Sequence, residues 1–314
     1  MMNKNEIKGR KEISLPKHYM DELARLDANK KKNYEEMKEE ICRKYQEVFG
    51  KELCWENPSS YNEKICVSML DDRKIYRSIL TDKVAVREWV KKKIGSKYLI
   101  PILGVYDCFD EIELETLPDQ FVMKCSHDSS SITVCTDKSA LDWEELREKY
   151  AFFMKRNFAY LFYEMQYASI HPKIIVEQYM GELMDYKFLC FHGVPRYCWI
   201  DMDRFAHHTR NFYDMKWNLE PFGKLYPLCN HDVPCPKEFD EMKHVAEILC
   251  KGMDQVRVDL YDINQSVYFG EMTFTTEAGI GPFFPSQYDL EIGKYWILHQ
   301  GTENSEKEEE GTVD

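Results

Sequence analysis

Near the end of this 314-residue chain, two acids, one guanidinium and one hydroxyl have the spacing of a cation or phosphate site. In VRVDLYDINQSVYFGEMTF, two β-type runs flank Asn264-Gln265-Ser266. A turn centred on Gln265 places Asp259 opposite Glu271 and Arg257 opposite Thr273, all on one face. Val258, Leu260, Met272 and Phe274 take the other face, where they can be buried. Opposed residues of an antiparallel pair hold their Cβ atoms about 4.5–5.5 Å apart, and like charges at that distance repel. Something positive must sit between the acids. Arg257 could neutralise both on a solvated face. A divalent cation is the other reading, because Mg²⁺ takes one or two carboxylates and completes its shell with water and phosphate oxygens. The metal reading makes the ligand a nucleotide.

Composition narrows the choice. Lys+Arg 42 against Asp+Glu 55 gives a net charge of −13, which disfavours coating nucleic acid or an anionic membrane. Any phosphate site is therefore local. Eleven Cys without a CxxC pair or zinc spacing read as reduced, buried thiols and point to the cytoplasm. The N-terminal MMNKNEIKGRKEI has no apolar core for a signal peptide, and Tyr98 to Val105 is too short to span a membrane. The length allows a large core divided into lobes.

The elements that must position these residues read as α+β, mainly antiparallel. Residues 1 to about 33 are rich in Lys and Asn and read as a partly mobile lead-in. Met37, Ile41, Tyr45 and Val48 recur at helical spacing before Gly50, and Val86, Trp89, Val90 and Ile94 do so before Gly95. Phe121 to Cys125 and Ile132 to Thr136 form a hairpin around the polar loop Ser126 to Ser131. A long helix is expected from Trp143 to Met165, then strands at Ile174 to Met180, Tyr186 to Phe191 and Arg196 to Asp201. A helix at Phe239 to Lys251 leads into the acidic hairpin. Gln300 to Asp314, dominated by Glu, reads as a disordered tail without chemistry.

Further candidates lie along these elements. Lys83 starts a helix. Lys124 is a lone cation in the strand Phe-Val-Met-Lys-Cys, either turned to solvent or awaiting an anion. The Ser-rich loop can offer amides and hydroxyls to phosphate. Glu177 ends an Ile-Ile-Val run and precedes Gln178-Tyr179-Met180, which could close over a base, with Asp185 and Lys187 beyond for ribose and phosphate. Tyr197, Trp199, Phe212, Tyr213 and Trp217 suit sugar stacking, although most such residues are core.

In order along the chain, NPSSYNEKI, LTDKVAVREWVKKKIG, YLIPILGVYDCFDEI, LPDQFVMKCSHDSSS, DYKFLCFHG, DRFAHHTRNFYDMKWNLEPF and VRVDLYDINQSVYFGEMTF resemble the ATP-grasp superfamily, in its TupA-like branch of teichuronopeptide and capsular polysaccharide biosynthesis. The resemblance runs from about Asn57 to about Leu298. It implies an ATP-grasp fold with two α+β subdomains clasping ATP, at 79–180 and 181–300, after a helical segment at 1–78 and before a tail at 301–314. It also implies that Lys83, Lys124 and Lys187 meet ATP phosphates beneath a loop of Ser126, His127, Ser129, Ser130 and Ser131. Glu177, Tyr179 and Met180 would hold adenine, Asp185 the ribose, and Asp259, Glu271 and Thr273 the Mg²⁺. Arg257 would face the transferred phosphoryl, with Arg204 or Arg210 as a second cation. Thr276-Glu277-Ala278-Gly279-Ile280-Gly281 would face the acceptor. The branch usually reads His-Gly-Ser-Gly-Gly in the loop, whereas this chain has no glycine there, and Asp128 adds negative charge near the expected phosphates.

The activity implied is an ATP-dependent carboxylate–amine ligase. It would join a hexuronic acid, free, nucleotide-linked or polymeric, to an amino acid or small amino alcohol through an acyl phosphate, in the cytoplasm of a bacterium. The partners are then a small-molecule or saccharide carboxylate and a small amine, with no nucleic acid, no membrane span and an open oligomeric state. A glycosyltransferase of polysaccharide biosynthesis and a nucleotide-binding protein without catalysis are the alternatives.

Overall fold

A computed structural model describes residues 13–71, 74–202, 207–229, 231 and 233–298. The acidic tail and Arg204 lie outside the described residues.

Asn33 and Glu36 form a reciprocal cap that starts α2 (Tyr34–Phe49), and Gly50 stops it at φ +66°. Ser60 and Glu63 repeat the device at α3 (Tyr61–Met69). The lead-in carries a helix, α1 (Lys17–Lys30), contrary to the sequence expectation. Its apolar residues are sparse but meet a partner: Tyr19 stacks on Phe152 at 4.2 Å, and Leu15 joins the same core. Next come α4 (Ile75–Thr81) and α5 (Val86–Ile94).

The first sheet has the order β1-β4-β2-β3, from β1 (Ile102–Tyr106), β2 (Phe121–Cys125), β3 (Thr133–Cys135) and β4 (Ile174–Gln178), all antiparallel. Between β3 and β4 the expected long helix is broken into α6 (Trp143–Lys155) and α7 (Ala159–Phe162). Arg156 turns extended at φ −73°, ψ 124°, the Asn157 side chain caps Ala159 N at 3.1 Å, and Tyr163 is left-handed at φ +66°. Periodicity does not reveal such a break, because side-chain capping competes with the helix.

The second sheet runs β10-β9-β5-β6-β7. Its strands are β5 (Met184–Phe191), β6 (Val194–Met202), β7 (Thr209–Asp214), β9 (Gln255–Asp262) and β10 (Val267–Thr273), with the short pair β8 (Gly223–Lys224) and β11 (Phe283–Phe284) beside it. Strand alternation gives it two buried faces. Phe188, Val258, Leu260, Met272 and Phe274 pack under α5 and α8 (Phe239–Cys250). Leu189, Phe191, Trp199 and Phe212 pack with residues of α2, α3 and α9 (Gln287–Gly293).

The expected subdomain limits do not follow this packing. Val86 and Val90 of α5 belong to the core of the second sheet, while α1 packs with the first. Trp199, Phe212 and Tyr213 are fully buried core residues, not a sugar platform. The eleven cysteines carry no disulfide, but Cys54 and Cys235 are exposed, so burial does not hold for all of them.

Candidate functional site

The acidic hairpin has the expected pairing through a different geometry. Its turn is the two-residue Asn264-Gln265, both with positive φ, closed by mutual backbone bonds between Ile263 and Ser266. Near the turn the register is therefore Val267 with Asp262 and Phe269 with Leu260, one residue off a turn centred on Gln265. A bulge between Phe269 and Glu271 absorbs the difference and restores Glu271 with Asp259 and Thr273 with Arg257. The extra residue also flips the phase of β10. Val267 and Phe269 face the core before it, and Met272 faces the core after it. Without the bulge Glu271 would point into the hydrophobic layer. Bulges commonly re-aim side chains beside sites, and Gly270 suits this one because an added Cβ would lie 3.0 Å from the Asp259 carbonyl oxygen.

Cross-strand pairing extends the row. Lys187 on β5 lies opposite Asp259 and, on its other side, opposite Trp199. Arg257 donates from Nε to Asp259 Oδ1 at 2.6 Å and from Nη2 to Asp259 Oδ2 at 2.7 Å and Glu271 Oε1 at 2.8 Å. Lys187 donates to Asp259 at 3.0 Å and also to Asp185. Arg257 and Arg210 both lie over the Trp199 ring, at 5.4 and 5.1 Å. Burial pulls the Arg257 guanidinium down, but Asp259 and Glu271 more than offset that and hold it above its usual range. For Glu271, burial favours the neutral form, yet Lys83, Arg257 and Lys187 hold its carboxyl down at about 2.

The first sheet supplies the facing wall. Lys124 and Glu177 share one face and pair at 2.6 Å, and Arg87 of α5 reaches Glu177 at 3.1 Å. Lys124 is thus turned to an anion, not to open solvent. Lys83, just before α5, donates to the Asp128 carbonyl at 2.6 Å, and burial lowers its ammonium pKa against the pull of Glu271. Lys83 thereby holds the serine loop with its charge within reach of the field of Glu271. Tyr179 and Met180, half-buried, follow β4 where the chain crosses between sheets, and Tyr179 lines a cleft of about 800 Å³ with Gln178 and Gln120.

The serine loop differs from its sequence reading. Asp128 does not face phosphate. It is 1% exposed, accepts from Arg156 Nε at 2.8 Å and caps Ser130 N at 2.7 Å. Arg156 also donates to Glu22 of α1 at 3.0 Å and to Ser130 Oγ at 2.6 Å. The His127 ring is likewise turned inward, against the carbonyls of Phe153 and Arg156, and burial lowers its pKa. Ser131 Oγ accepts from Cys125 N. Side-chain contact to phosphate from His127 and Ser131 is therefore corrected to structural support of the loop, while Ser129 and Ser130 remain exposed at its tip. An Asp–Arg anchor holds the loop where the family pattern has glycines.

Arg210 joins a network that sequence reading missed. It donates to Asp201 at 2.6 Å and pairs with Glu277, which also pairs with buried Lys224. Glu277 and Ala278 have φ +52° and +49°, strained for side chains and held by this network. The turn that carries them lines a cavity of about 420 Å³ together with Arg257, Glu271, Thr273, Ser129 and Glu164.

Among the described residues no three His, Cys, Asp or Glu side chains gather as a metal cluster. In this arrangement Arg257 occupies the seat between Asp259 and Glu271, and Thr273 donates its hydroxyl to Glu271 at 3.1 Å. Two carboxylates beside Lys83 and Lys187 still fit Mg²⁺ carried by a triphosphate, which brings its own oxygen ligands.

A family model described as TupA-like ATPgrasp matches residues 63–297. No curated protein matches the chain. Among solved structures, D-alanine–D-alanine ligase from Bacillus anthracis complexed with ATP shows 13% identity over 63% of this chain and 54% of its own, with a TM-score of 0.36. N5-carboxyaminoimidazole synthetase from Staphylococcus aureus shows 13% over 62% and 44%, TM-score 0.37. D-alanyl-alanine synthetase A from Vibrio cholerae shows 10% over 62% and 56%, TM-score 0.38. The chain spans about half the length of these structures.

Proposed function

The chain belongs to the TupA-like ATP-grasp family, with its α+β ATP-grasp fold, and from that membership we propose that it is an ATP-dependent ligase joining a carboxylate to an amine. The observation that carries this reading is the cross-strand row Lys187–Asp259–Glu271, with Arg257 bridging the two acids.

A carboxylate is a poor electrophile, so amide formation needs activation. In the reading proposed, Lys83, Lys124 and Lys187 bind the triphosphate and orient its terminal phosphoryl. Asp259 and Glu271 would hold Mg²⁺, which when bound supplies charge neutralisation on the phosphate oxygens. Arg257 then leaves the carboxylates it now bridges and stabilises negative charge developing on the phosphoryl and acyl phosphate. The Trp199 ring lies against the Arg257 guanidinium at 5.4 Å, and Arg210, over the same ring, adds a second cation nearby. Ser129 and Ser130 exclude water above the phosphates, and the segment Glu177 to Met180 encloses the adenine, with Asp185 on the ribose.

The carboxylate is proposed to be a hexuronic acid, free, nucleotide-linked or polymeric, and the amine an amino acid or small amino alcohol. Support for the uronate comes from the branch of the family. No helix among the described residues is long and apolar enough to cross a membrane. The test is ADP release with uronic acids and their nucleotide-linked forms, each paired with a pool of small amines. ADP formed only when Mg²⁺, a uronate and an amine are all present supports the reading, and ADP release indifferent to uronates removes it.

A further inference from the structure

Glu164 has no part in holding nucleotide, yet it sits where a carboxylate is costly. It is 6% exposed and follows the left-handed Tyr163 in the segment after α7. Its Oε1 accepts the Thr275 hydroxyl at 2.5 Å, and Thr275 Oγ1 in turn accepts from Gln166 Nε2 at 2.6 Å. Among the described residues no lysine, arginine or histidine forms an ion pair with it; burial and Thr275 alone set its titration, near 7. Buried carboxylates are normally matched by a cation. Glu164 also lines the 420 Å³ cavity that contains Arg257 and Glu271, with apolar walls from Phe158, Phe162 and Ile280. The cavity thus joins the phosphoryl-facing pair to a carboxylate that lacks a counter-ion.

Resting on the ligase reading, we propose that this cavity receives the amine co-substrate and that Glu164 binds its ammonium group and takes one proton from it. The missing cation is the substrate's own. An alkylammonium has no lone pair and cannot attack. Transfer of one N–H proton to the Glu164 carboxylate yields the neutral amine, whose lone pair forms the C–N bond to the acyl carbon. The C–O bond to phosphate breaks with its electron pair on the phosphate, which also takes the second nitrogen proton. Amide and hydrogen phosphate result, and Glu164 returns its proton to solvent. The apolar walls suit the carbon chain of a small amine, and the volume is at the small end of ligand sites. Tyr167 on the same segment, Arg257 on β9, Glu271 on β10 and Glu277 on the strained turn are the other titratable groups facing the cavity. Arg257 and Glu271 hold their charges throughout the neutral range, which leaves Glu164 to change there.

Hydroxylamine separates the two readings, because it is largely unprotonated at neutral pH and needs no base. The full chain is assayed with Mg-ATP and glucuronate, galacturonate or mannuronate. The nucleophile is hydroxylamine or a pool of ethanolamine, glycine, L-alanine and L-serine. Wild type is expected to form both hydroxamate and amide. Glu164→Gln is expected to keep hydroxamate formation within about twofold and to lose amide formation about 100-fold at pH 7, the scale of general-base catalysis. Thr275→Val keeps the carboxylate but removes its donor, so the acid limb of the amide rate should move to higher pH. Glu164→Gln with unimpaired amide formation, parallel loss of both products, an unmoved limb in Thr275→Val, or wild-type hydroxamate without any amide from the pool would each overturn the inference. Wild type without hydroxamate from any uronate removes the uronate ligase reading itself, and this inference with it.

Discussion

Glu271 faces Asp259 across the hairpin because one extra residue, Gly270, separates it from the strand's turn-side half. The bulge, not the turn, sets the acidic pair. Gly270→Ala would push a methyl group to 3.0 Å from both the Asp259 carbonyl and the Tyr261 ring. The expected cost is about 1–3 kcal/mol by chemical denaturation, the range for overpacking. Deleting Gly270 removes the extra residue, and plain alternation after Phe269 then keeps Glu271 opposite Asp259 and Thr273 opposite Arg257, whereas inserting one alanine after Gly270 should turn both inward and cost much of the stability. An insertion variant with a wild-type melting temperature would show that the phase of β10 does not depend on the residue count at the bulge.

The serine loop should depend on Arg156 more than on any serine. Removing that side chain leaves Asp128 as a buried, uncompensated charge, so Arg156→Met is expected to destabilise by about 3–5 kcal/mol. Adding Asp128→Asn in the same chain should recover part of the loss, since both charges are then gone. Thermal melts of the two single variants and the double complete the cycle. Strict additivity would mean that the pair does not couple.

Lys124 and Glu177, paired at 2.6 Å, make the facing wall of the proposed nucleotide site. Mg-ATP is expected to raise the melting temperature of the wild type, and Lys124→Ala to abolish that increase. Glu177→Gln should retain part of it, because the glutamine keeps polar contacts to Lys124 and Arg87. An undiminished Mg-ATP shift in Lys124→Ala would remove this lysine from the site.

Glu164 predicts a pH dependence of stability. Its carboxyl is raised from about 4.5 to about 7, so as pH rises between these values the unfolded chain ionises there while the folded chain keeps its proton. Stability therefore falls with rising pH over that window and levels off above it. Such a shift amounts to about 3 kcal/mol. Glu164→Gln lacks this titration, so its stability relative to wild type should improve between pH 5 and pH 8 by up to that amount. Urea denaturation of both proteins at the two pH values measures it, and a constant difference would show that Glu164 is ionised from low pH.

Much of the site was legible because strand alternation is local. Arg257 shares a face with Asp259, and Glu271 with Thr273, by parity alone. Even so, the correct pairing of Asp259 with Glu271 came from a turn placed one residue off and a bulge that compensates, and no periodicity reveals either. The roles of Arg156, Glu164 and Arg210 were hidden for another reason: each depends on a partner distant in sequence, namely Asp128, Thr275 and Glu277. Helix α1 escaped notice because its few apolar residues gain meaning only against Phe152. The break at Arg156 and Asn157 lay inside a run whose apolar spacing still reads as helix.

The central claim is that Asp259 and Glu271 together hold the metal of a bound triphosphate. Its most direct test is Mg²⁺-dependent ADP release by Asp259→Asn and Glu271→Gln, measured with a uronate and an amine on which the wild type turns over. The account predicts that each variant keeps a cooperative melt near that of wild type while its turnover falls by at least about 100-fold, a scale typical of lost electrostatic stabilisation. Full activity in either variant would contradict it.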